Sequence, residues 1–360
     1  MQLDHDLEAW LTLTLTPGLG SEALRRLLAA FGGPEQILAA DARSLARVVP
    51  EPVVRTLATP VAPDRLTRVA AWLENPSNQI ITLADARYPR ALLDTPDPPS
   101  LIYITGRAEL LNHAALAIVG SRNATVQGIA HAEAFARALS DAGLTIVSGL
   151  ALGIDAAAHR GGLAGGSSSI AVVGTGLDVV YPARNRPLAH ELAKGGCIVS
   201  EFALGTRPVA ANFPRRNRLI SGLARACLVV EAAIQSGSLI TARFANEQGK
   251  DVFAIPGSIH SPLAKGCHSL IKQGAKLVET ADDILDELKL PTLVRAPAPA
   301  ADAPGDLDPL LALLGFDPCD FDSLLARTNL GADRLAALLT EWELNGLIEA
   351  LPGGRYHRLR

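Results

Sequence analysis

The sequence predicts an α/β protein with a parallel sheet at its centre, a helical domain before it and a small helical module after it. Between residues 114 and 288, short continuous apolar runs alternate with helix-forming stretches, which is typical of a parallel sheet covered by helices on both faces. Most of these runs end in glycine, serine or glutamate, and small residues mark an edge where a ligand approaches the backbone. A length of 360 residues fits two or three domains.

Composition limits the class of protein. Hydrophobic residues make up 48% of the chain and charged residues 19%, and no stretch approaches the roughly 18 unbroken apolar residues of a membrane span. The first residues, MQLDHDLEAW, are acidic and lack the basic start and apolar run of a signal peptide. We therefore expect a cytoplasmic protein with no membrane partner.

Cysteine usage and net charge exclude two further classes of site. The four cysteines are scattered, without a CxxC pair, which favours buried reduced thiols over a zinc site or a disulfide framework. We expect no metal and no cofactor. The net charge is −4, so any nucleic-acid site must be a local one.

Residues 1–84 are predicted to form a helical domain, because short amphipathic stretches alternate there with turn signals. The PGLG turn at 17–20 lies between two predicted helices and resembles a helix-hairpin-helix, whose glycine amides can hold a DNA phosphate. Residues 1–112 carry 10 Lys and Arg against 13 Asp and Glu, which favours a packing or interaction module over a DNA contact. Both interpretations stay open.

Residues 85–290 are predicted to form the core. A proline-rich connector leads to a short strand, LIYI, after which strands and helices alternate. Helices are expected at about 125–142, 156–164 and 187–194, with a further one opening near Leu239. The predicted core strands are ALAIVG, LTIVSG, SSIAVVG, CIVSE, ACLVVE and DVFAIPG.

The C-terminal part divides into a linker and a module. Residues 291–305, rich in proline and alanine, are predicted to be a semi-rigid linker. Residues 306–360 have the order of a winged helix, with two short helices, a longer one and a hairpin turn at 352–354. This module carries 5 Lys and Arg against 9 Asp and Glu, so a protein-contact or regulatory role is favoured over reading of duplex DNA.

Three loops are predicted to form anion sites on one edge of the sheet, because each joins a strand end to a helix start. They contain small residues and, in the first loop, an arginine. The loop residues are Gly120, Ser121 and Arg122, then Ser148 and Gly149, then Ser236, Gly237 and Ser238.

The segment 212–218 is the strongest candidate for ligand binding. It places an aromatic residue beside three arginines, and single-stranded nucleic acid is bound by that combination, since bases stack and cations follow the backbone. Residues 113–290 carry 17 Lys and Arg against 14 Asp and Glu, so the positive charge is concentrated in the core. The candidate residues of the segment are Asn212, Phe213, Arg215, Arg216, Asn217 and Arg218.

A catalytic interpretation has less support. Asp155 and His159 are four residues apart on a predicted helix, but no nucleophile accompanies them, so we expect Asp155 to brace its loop and His159 to bond a neighbouring carbonyl. The GTGLDVVYP stretch lacks the third glycine of a dinucleotide site, and the chain contains no GxxxxGK[ST] motif.

With these residues in view, the core resembles the DNA-processing protein A family (DprA, also called Smf). The resemblance runs from about Tyr88 to Leu288 through nine blocks in family order, which makes it highly specific. It implies an extended Rossmann-like fold with an N-terminal sterile-alpha-motif-like domain and a C-terminal winged-helix-like domain. It also implies binding of single-stranded DNA without sequence preference, a homodimer through the core, and loading of the RecA recombinase in natural transformation. The blocks are YPRALL, PPSLIYITG, VGSR, SGLALGIDAAAH, GTGLDVVYP, FPRRNRLISGLA, VVEAAIQSGSLITA, FAIPG and GCHSLIKQGAKLV.

The resemblance also assigns roles to individual residues. It implies a DNA pocket of Arg122, Phe213, Arg216, Asn217 and the turn 236–238. Dimer contacts are implied for His268, Ile271 and Leu277, and a recombinase contact for Asn246. Many relatives have lysine directly after the YP of the GLD block, where this chain has Ala183 followed by Arg184; Arg184 is therefore a candidate replacement.

Two rival functions follow from the same observations. Rossmann-type nucleoside-monophosphate phosphoribohydrolases also bind phosphates at this edge, but they carry a PGGxGTxxE block with a catalytic glutamate. The corresponding stretch here, EAAIQSGSLITA, has no glutamate at that place, which favours a non-enzymatic binding protein. A transcription regulator acting through the winged helix is disfavoured by the acidic charge of that module.

Overall fold

A computed structural model describes residues 3–290, 309–314, 318–328 and 330–358. The predicted linker, 291–305, lies outside the described residues.

Six helices form the N-terminal part. Proline stands at the start of several of them, where its missing N–H would have no helical partner. Buried Trp10 and Leu11 share a hydrophobic cluster with Ile80 and Tyr103 of the sheet, so these helices pack directly on the core. The helices are α1 (His5–Leu15), α2 (Ser21–Phe31), α3 (Pro34–Ala39), α4 (Ala42–Leu45), α5 (Glu51–Leu57) and α6 (Pro63–Trp72).

The central part contains nine strands and eight helices among the described residues, together with two short 3₁₀ turns at Ala108–Asn112 and Ala183–Asn185. In chain order the elements are β1 (Asn78–Thr82), α7 (Arg90–Leu93), β2 (Leu101–Gly106), β3 (Ala115–Val119), α8 (Val126–Asp141), β4 (Thr145–Ser148), α9 (Ile154–Ala164), β5 (Ser169–Val172), α10 (Arg186–Gly195), β6 (Cys197–Ser200), α11 (Asn212–Leu223), β7 (Ala226–Val229), α12 (Ser238–Glu247), β8 (Asp251–Ala254), α13 (Lys265–Lys272), β9 (Lys276–Leu277) and α14 (Ala281–Glu287).

The nine strands form one sheet in the order β1-β2-β6-β5-β4-β3-β7-β8-β9. In this spatial order, the last seven strands, β6-β5-β4-β3-β7-β8-β9, are parallel, as the alternating pattern predicts. Strand β2 is antiparallel to both of its neighbours, so the sheet is mixed at this side. Because β1 pairs with β2, the sheet begins before residue 85; the division of the chain into domains stays a prediction.

Both faces of the sheet are covered. Along β3, Ala117 and Val119 face one cluster that includes α11 and α12, while Leu116 and Ile118 face another that includes α8 and α9. Every residue of β3 is buried, which explains why this strand is a continuous apolar run rather than an alternating one.

The chain reverses its direction of travel across the sheet between β3 and β7. From β3 the chain passes through α8 to β4 on one side, and from β7 it passes through α12 to β8 on the other side. Connections that leave neighbouring strands in opposite directions open a crevice at the carboxyl ends of those strands. The predicted Gly120–Arg122 and Ser236–Ser238 loops both lie at this crevice.

The C-terminal residues form a separate three-stranded antiparallel sheet, in the order β10-β12-β11, with three helices among the described residues. Gly353 and Gly354 both have positive φ and make the hairpin turn that the sequence predicts. This is the predicted winged-helix arrangement. Its elements are α15 (Pro309–Leu314), β10 (Cys319–Asp320), α16 (Phe321–Arg327), α17 (Ala332–Leu344), β11 (Ile348–Leu351) and β12 (Arg355–Arg358).

Candidate functional site

The crevice holds a cleft of about 800 Å³, called the rim cleft below. The loops after β3 and β7 and one face of α11 form its walls. Of the residues predicted from the sequence, the rim cleft is lined by Gly120, Ser121, Arg122, Phe213, Arg216, Asn217, Ser236, Gly237 and Ser238. These nine are among the 23 residues that line the cleft.

One wall of the rim cleft is a stack of a cation and two aromatic rings. The guanidinium carbon of exposed Arg122 lies 5.6 Å from the centroid of the Phe213 ring, within cation–π range. The Phe213 ring in turn lies 5.6 Å from the ring of Tyr181, at an interplanar angle of 36°. Tyr181 is 43% exposed and was missed by sequence reasoning, although it belongs to the GTGLDVVYP block. The two rings offer an apolar surface beside a cation.

Helix α11 carries Phe213 into the cleft. It is not among the helices that the sequence pattern predicts, because Pro214 and a polar run precede its apolar positions. Pro214 is tolerated because it lies in the first turn, where a backbone N–H has no helical partner. The 3.6-residue period then places Phe213, Arg216 and Asn217 on the cleft side of this helix.

Arg216 lies under the cleft floor rather than in open solvent. Its side chain is buried, and Nη1 donates to the backbone oxygen of Gly149 at 2.5 Å and to that of Val172. Burial lowers the pKa of Arg216 to about 10, which leaves it cationic at neutral pH. Arg216 thus fixes the floor and contributes positive potential there.

Asn217 ties helix α11 to the turn at the start of α12. Its Oδ1 accepts from Arg216 Nε at 3.2 Å, and its Nδ2 donates to the backbone oxygen of Gly237 at 3.2 Å. The hydroxyls of Ser236 and Ser238 lie 2.7 Å apart at the same turn. The backbone N–H of Ser238 donates to the Ser236 hydroxyl at 3.3 Å, the space beside Gly237 is open, and the positive end of this helix faces the cleft.

The second predicted anion loop is closed. Ser148 is buried and donates to the backbone oxygen of Ile118 at 2.6 Å, so neither Ser148 nor Gly149 lines the rim cleft. Asp155 Oδ2 accepts from the backbone N–H of Gly149 at 3.1 Å and from that of Ala151 at 3.4 Å. The amides that a bound anion would need are therefore occupied, and Asp155 braces the loop as expected.

His159 also bonds to this loop, but its hydrogen-bond partners differ from the predicted one. Its Nε2 accepts from the backbone N–H of Leu150 at 3.2 Å, and its Nδ1 lies 2.8 Å from the hydroxyl oxygen of Ser169. The expected carbonyl partner was wrong. Because Nε2 is an acceptor, the ring is neutral, and burial together with nearby Arg216 lowers the pKa of His159 to about 3. A neutral, fully buried imidazole is a structural group here.

Two of the three predicted arginines face away from the rim cleft. Arg215 Nη2 lies 3.3 Å from the Glu201 carboxylate, and Arg218 pairs with Glu201 and Asp97. Because residues three apart share a helix face, Arg215 and Arg218 lie together, on the other side of α11 from Asn217. Their grouping with the cleft residues is therefore corrected.

Two further predicted residues lie outside the cleft lining. Asn212, at the start of α11, donates from Nδ2 to the backbone oxygen of Gly174 at 3.1 Å, which fixes the helix start. Arg184 is exposed in the 3₁₀ turn that follows Tyr181. No ion pair to Arg184 is found among the described residues, and its role as the replacement for the lysine of the relatives stays a prediction.

The residues with implied partner contacts lie on a different surface, next to the edge strand β9. His268, Ile271 and Leu277 line a depression of about 590 Å³. Ile234 and Ile259 line the same depression and are each 67% exposed, so the surface is apolar. We refer to these five residues as the edge patch.

Asn246, the residue with an implied recombinase contact, lies near the end of α12 and lines a second depression of about 590 Å³. Ile234 and Ser269 line both this depression and the one at the edge patch, so the two surfaces are continuous.

Metal and membrane chemistry receive no structural support from the described residues. Across residues 3–290, 309–314, 318–328 and 330–358, no cluster of three or more His, Cys, Asp or Glu could hold a metal ion. Within the same ranges no helix has both the length and the apolar content needed to cross a membrane. The four cysteines are buried, as the sequence predicts.

Comparison with family profiles covers most of the chain. Residues 79–289 match the profile of the DNA recombination-mediator protein A family, and residues 294–354 match that of the DprA winged helix domain. Protein Smf of Escherichia coli is 44% identical over 298 residues, which span 80% of this chain and 79% of that protein. The DNA processing protein DprA of Streptococcus pneumoniae is 46% identical over 208 residues, spanning 58% of this chain and 73% of that protein.

Solved structures agree with the profiles. The DprA structure from Streptococcus pneumoniae superposes with a TM-score of 0.69 at 36% identity, covering 80% of this chain and 99% of that chain. The DNA processing protein A of Helicobacter pylori, described for its unique single-stranded DNA binding mode, superposes with a TM-score of 0.54 at 31% identity over 59% of this chain and 96% of that chain. The chain therefore belongs to the DNA-processing protein A (DprA/Smf) family.

Proposed function

We propose that this protein binds single-stranded DNA in the rim cleft, without sequence preference and without catalysis. The observation that carries the proposal is the juxtaposition, in one cleft, of the Arg122–Phe213–Tyr181 stack and the Ser236–Ser238 turn at the start of α12. The binding described for the Helicobacter pylori relative supports it.

The geometry suggests that different parts of the cleft bind the bases and the phosphates of the DNA. A base stacks on Phe213 or Tyr181, while Arg122 and the backbone N–H groups at the start of α12 bind the DNA backbone. A stacking surface accepts every base, because each base has a π-face, so sequence preference is weak. A duplex keeps its bases stacked on each other and cannot use this surface.

The experiment compares Arg122→Ala and Phe213→Ala with the wild type by fluorescence anisotropy of labelled oligo(dT) at several salt concentrations. Loss of Phe213 should cost about 1–3 kcal/mol of binding free energy with an unchanged salt slope. Loss of Arg122 should weaken binding and also reduce the log–log salt slope by about 0.7, the contribution of one phosphate contact on a single strand.

The control is Arg160→Ala. Arg160 is an equally charged side chain that pairs with Glu133 outside the rim cleft, and its loss should leave oligo(dT) affinity unchanged. Wild-type affinity in both the Arg122→Ala and Phe213→Ala proteins would refute the site assignment.

The absence of catalysis is part of the proposal and has its own support. Asp155 and His159, the one acid–base pair considered from the sequence, are committed to backbone groups of their own loop. The stretch 231–242 has no glutamate at the place where the phosphoribohydrolases carry their catalytic one. Release of adenine from AMP by the purified protein would instead support the enzymatic alternative.

Two protein partners belong to the same proposal. The edge patch is a candidate homodimer surface, because a contiguous apolar area exposed on a monomer marks an interaction site. We further infer that the protein loads the RecA recombinase during natural transformation, with Asn246 at the contact and the cytoplasm as the compartment. An Asn246→Ala protein should bind oligo(dT) normally and RecA weakly; unchanged RecA binding would remove Asn246 from that contact.

A further inference from the structure

Among the helices that follow the parallel strands, α8 after β3, α9 after β4 and α12 after β7 begin beside the three loops that the sequence predicts as anion sites. The start of a helix attracts anions, because its first backbone N–H groups are unpaired and its dipole is positive there. In α/β proteins that bind nucleotides, such helix starts hold the phosphates. The three starts in this chain are not equivalent.

The start of α8 is filled by a side chain from another strand. Glu231, which follows β7, accepts the backbone N–H of Thr125 on Oε2 at 3.0 Å and the hydroxyl of Thr125 on Oε1 at 2.6 Å. Its backbone oxygen also accepts the N–H of Ser121 at 2.7 Å. A Cβ placed on Gly128 would lie 2.6 Å from both carboxylate oxygens, so the carboxylate occupies the space beside the first turn.

The loop before α9 is filled by its own helix. Asp155 accepts the N–H groups of Gly149 and Ala151, and Asp155 itself lines the rim cleft. Arg216 is close enough to oppose the rise that burial produces in the pKa of the Asp155 carboxyl. The charge of the cleft floor is thus balanced within the chain, and a phosphate would have to displace an internal carboxylate.

We propose that Glu231 and Asp155 determine specificity by filling two of the three predicted anion loops, which leaves the Ser236–Ser238 turn as the phosphate position among the three that holds no carboxylate. A free nucleotide that carries two or three adjacent phosphates then finds one anion position and two carboxylates that repel it. A DNA strand presents its phosphates singly and gains the rest of its binding free energy from stacking. This inference rests on the proposed function. It explains how the carboxyl edge of a Rossmann-like sheet can discriminate against free nucleotides.

The test uses the full-length protein and its Glu231→Gln and Asp155→Asn variants, each of which keeps the side-chain shape and one oxygen acceptor. ADP and pyrophosphate are titrated against bound, labelled oligo(dT), with sodium chloride of equal ionic strength as the reference. From the wild type, ADP and pyrophosphate should displace oligo(dT) only as far as chloride of equal ionic strength does. From at least one variant, they should displace oligo(dT) at a concentration lower by at least about tenfold.

Glu133→Gln is the matched control, because Glu133 is an exposed glutamate of α8 whose partner is Arg160, outside the rim cleft. It should behave as the wild type does. The inference would be overturned if ADP displaced oligo(dT) from the wild type well below the concentration at which chloride does. It would also be overturned if both variants folded and ADP and pyrophosphate displaced oligo(dT) from them no better than from the wild type.

Direct calorimetric titration of pyrophosphate separates this inference from the proposed function, since it requires no DNA. A chain that fails to bind oligo(dT) refutes the proposed function. The specificity inference stands or falls on whether the folded variants, and not the wild type, bind pyrophosphate. Circular dichroism melting identifies any variant that does not fold, and the remaining variant then decides.

Discussion

At the scale of single residues, the polar groups beneath the rim cleft bond to the backbone of the surrounding loops. Asp155, His159 and Arg216 are all buried, and each bonds to backbone atoms of the loops that meet at the sheet edge. Buried polar groups persist only where their partners are present, since an unpaired one costs about 1–3 kcal/mol. They therefore specify the loop shapes that position Arg122 and Phe213.

The neutral state of His159 predicts a pH dependence of stability. Burial lowers the pKa of His159 to about 3 in the folded protein, against an ordinary value of 6.5. Between these values the unfolded chain binds a proton that the folded chain does not, so stability falls as pH decreases. From pH 7 to pH 5 this one group should reduce the free energy of unfolding by about 2 kcal/mol.

Urea denaturation of the wild type and of His159→Gln at both pH values isolates this contribution. The variant should be less stable at pH 7, and its deficit should shrink by about 2 kcal/mol at pH 5 because it has no imidazole to protonate. A deficit that is the same at both pH values would contradict a neutral His159.

At the scale of elements, helix α11 separates two different environments. One face carries Phe213 and Asn217 into the rim cleft. The other presents Arg215 and Arg218 to Glu201, close to helix α2, where Arg215 Nη2 lies 3.4 Å from the hydroxyl of Ser21. The helix thus connects the N-terminal helices with the candidate DNA site.

The two faces predict opposite outcomes for adjacent arginines. Arg215→Ala should leave oligo(dT) affinity within about twofold and stability within about 1 kcal/mol, because its side chain is 51% exposed and Arg218 still pairs with Glu201. Arg216→Ala should cost about 3 kcal/mol or more of stability, since it leaves two backbone oxygens and the Asp155 carboxylate without their cation. Denaturation curves measure the stability, and fluorescence anisotropy measures the oligo(dT) affinity. A large loss of DNA affinity in a folded Arg215→Ala protein would refute the assigned faces.

At the scale of the whole molecule, charge and apolar surface are distributed unevenly. The core carries a small positive excess, 17 basic against 14 acidic residues over 113–290, whereas residues 306–360 carry 5 against 9. This imbalance favours DNA binding by the core and a protein partner for the winged-helix module, which stays a prediction.

The edge patch lies outside the lining of the rim cleft, so a dimer formed there leaves both clefts open.

Disruption of the edge patch should produce a monomer. Leu277 is 44% exposed, and Leu277→Arg places a charge in an apolar contact, so sedimentation velocity should show a dimer for the wild type and a monomer for the variant. Leu344→Arg is the control, because Leu344 is 82% exposed at the end of α17 in the C-terminal module. A dimer that survives Leu277→Arg, or a wild-type monomer, would refute this surface.

Local patterns determined a large part of this protein. Continuous apolar runs specify the buried strands, and glycine or serine at their ends specifies loops that approach a ligand, so the sheet, the Gly120–Arg122 loop and the Ser236–Ser238 turn follow from the sequence. The nine blocks likewise predicted the family. Each of these inferences depends on residues that are close together in the chain.

The tertiary structure decided which of the predicted anion loops are open. Glu231 reaches Thr125 across 106 residues of chain, and Tyr181 reaches Phe213 from a different loop, so neither contact has a local signal. The helix register of α11 likewise turned Arg215 and Arg218 away from the cleft. The physical reason is that a helix start attracts any anion equally well, and only packing determines whether that anion is a ligand or a carboxylate of the chain itself.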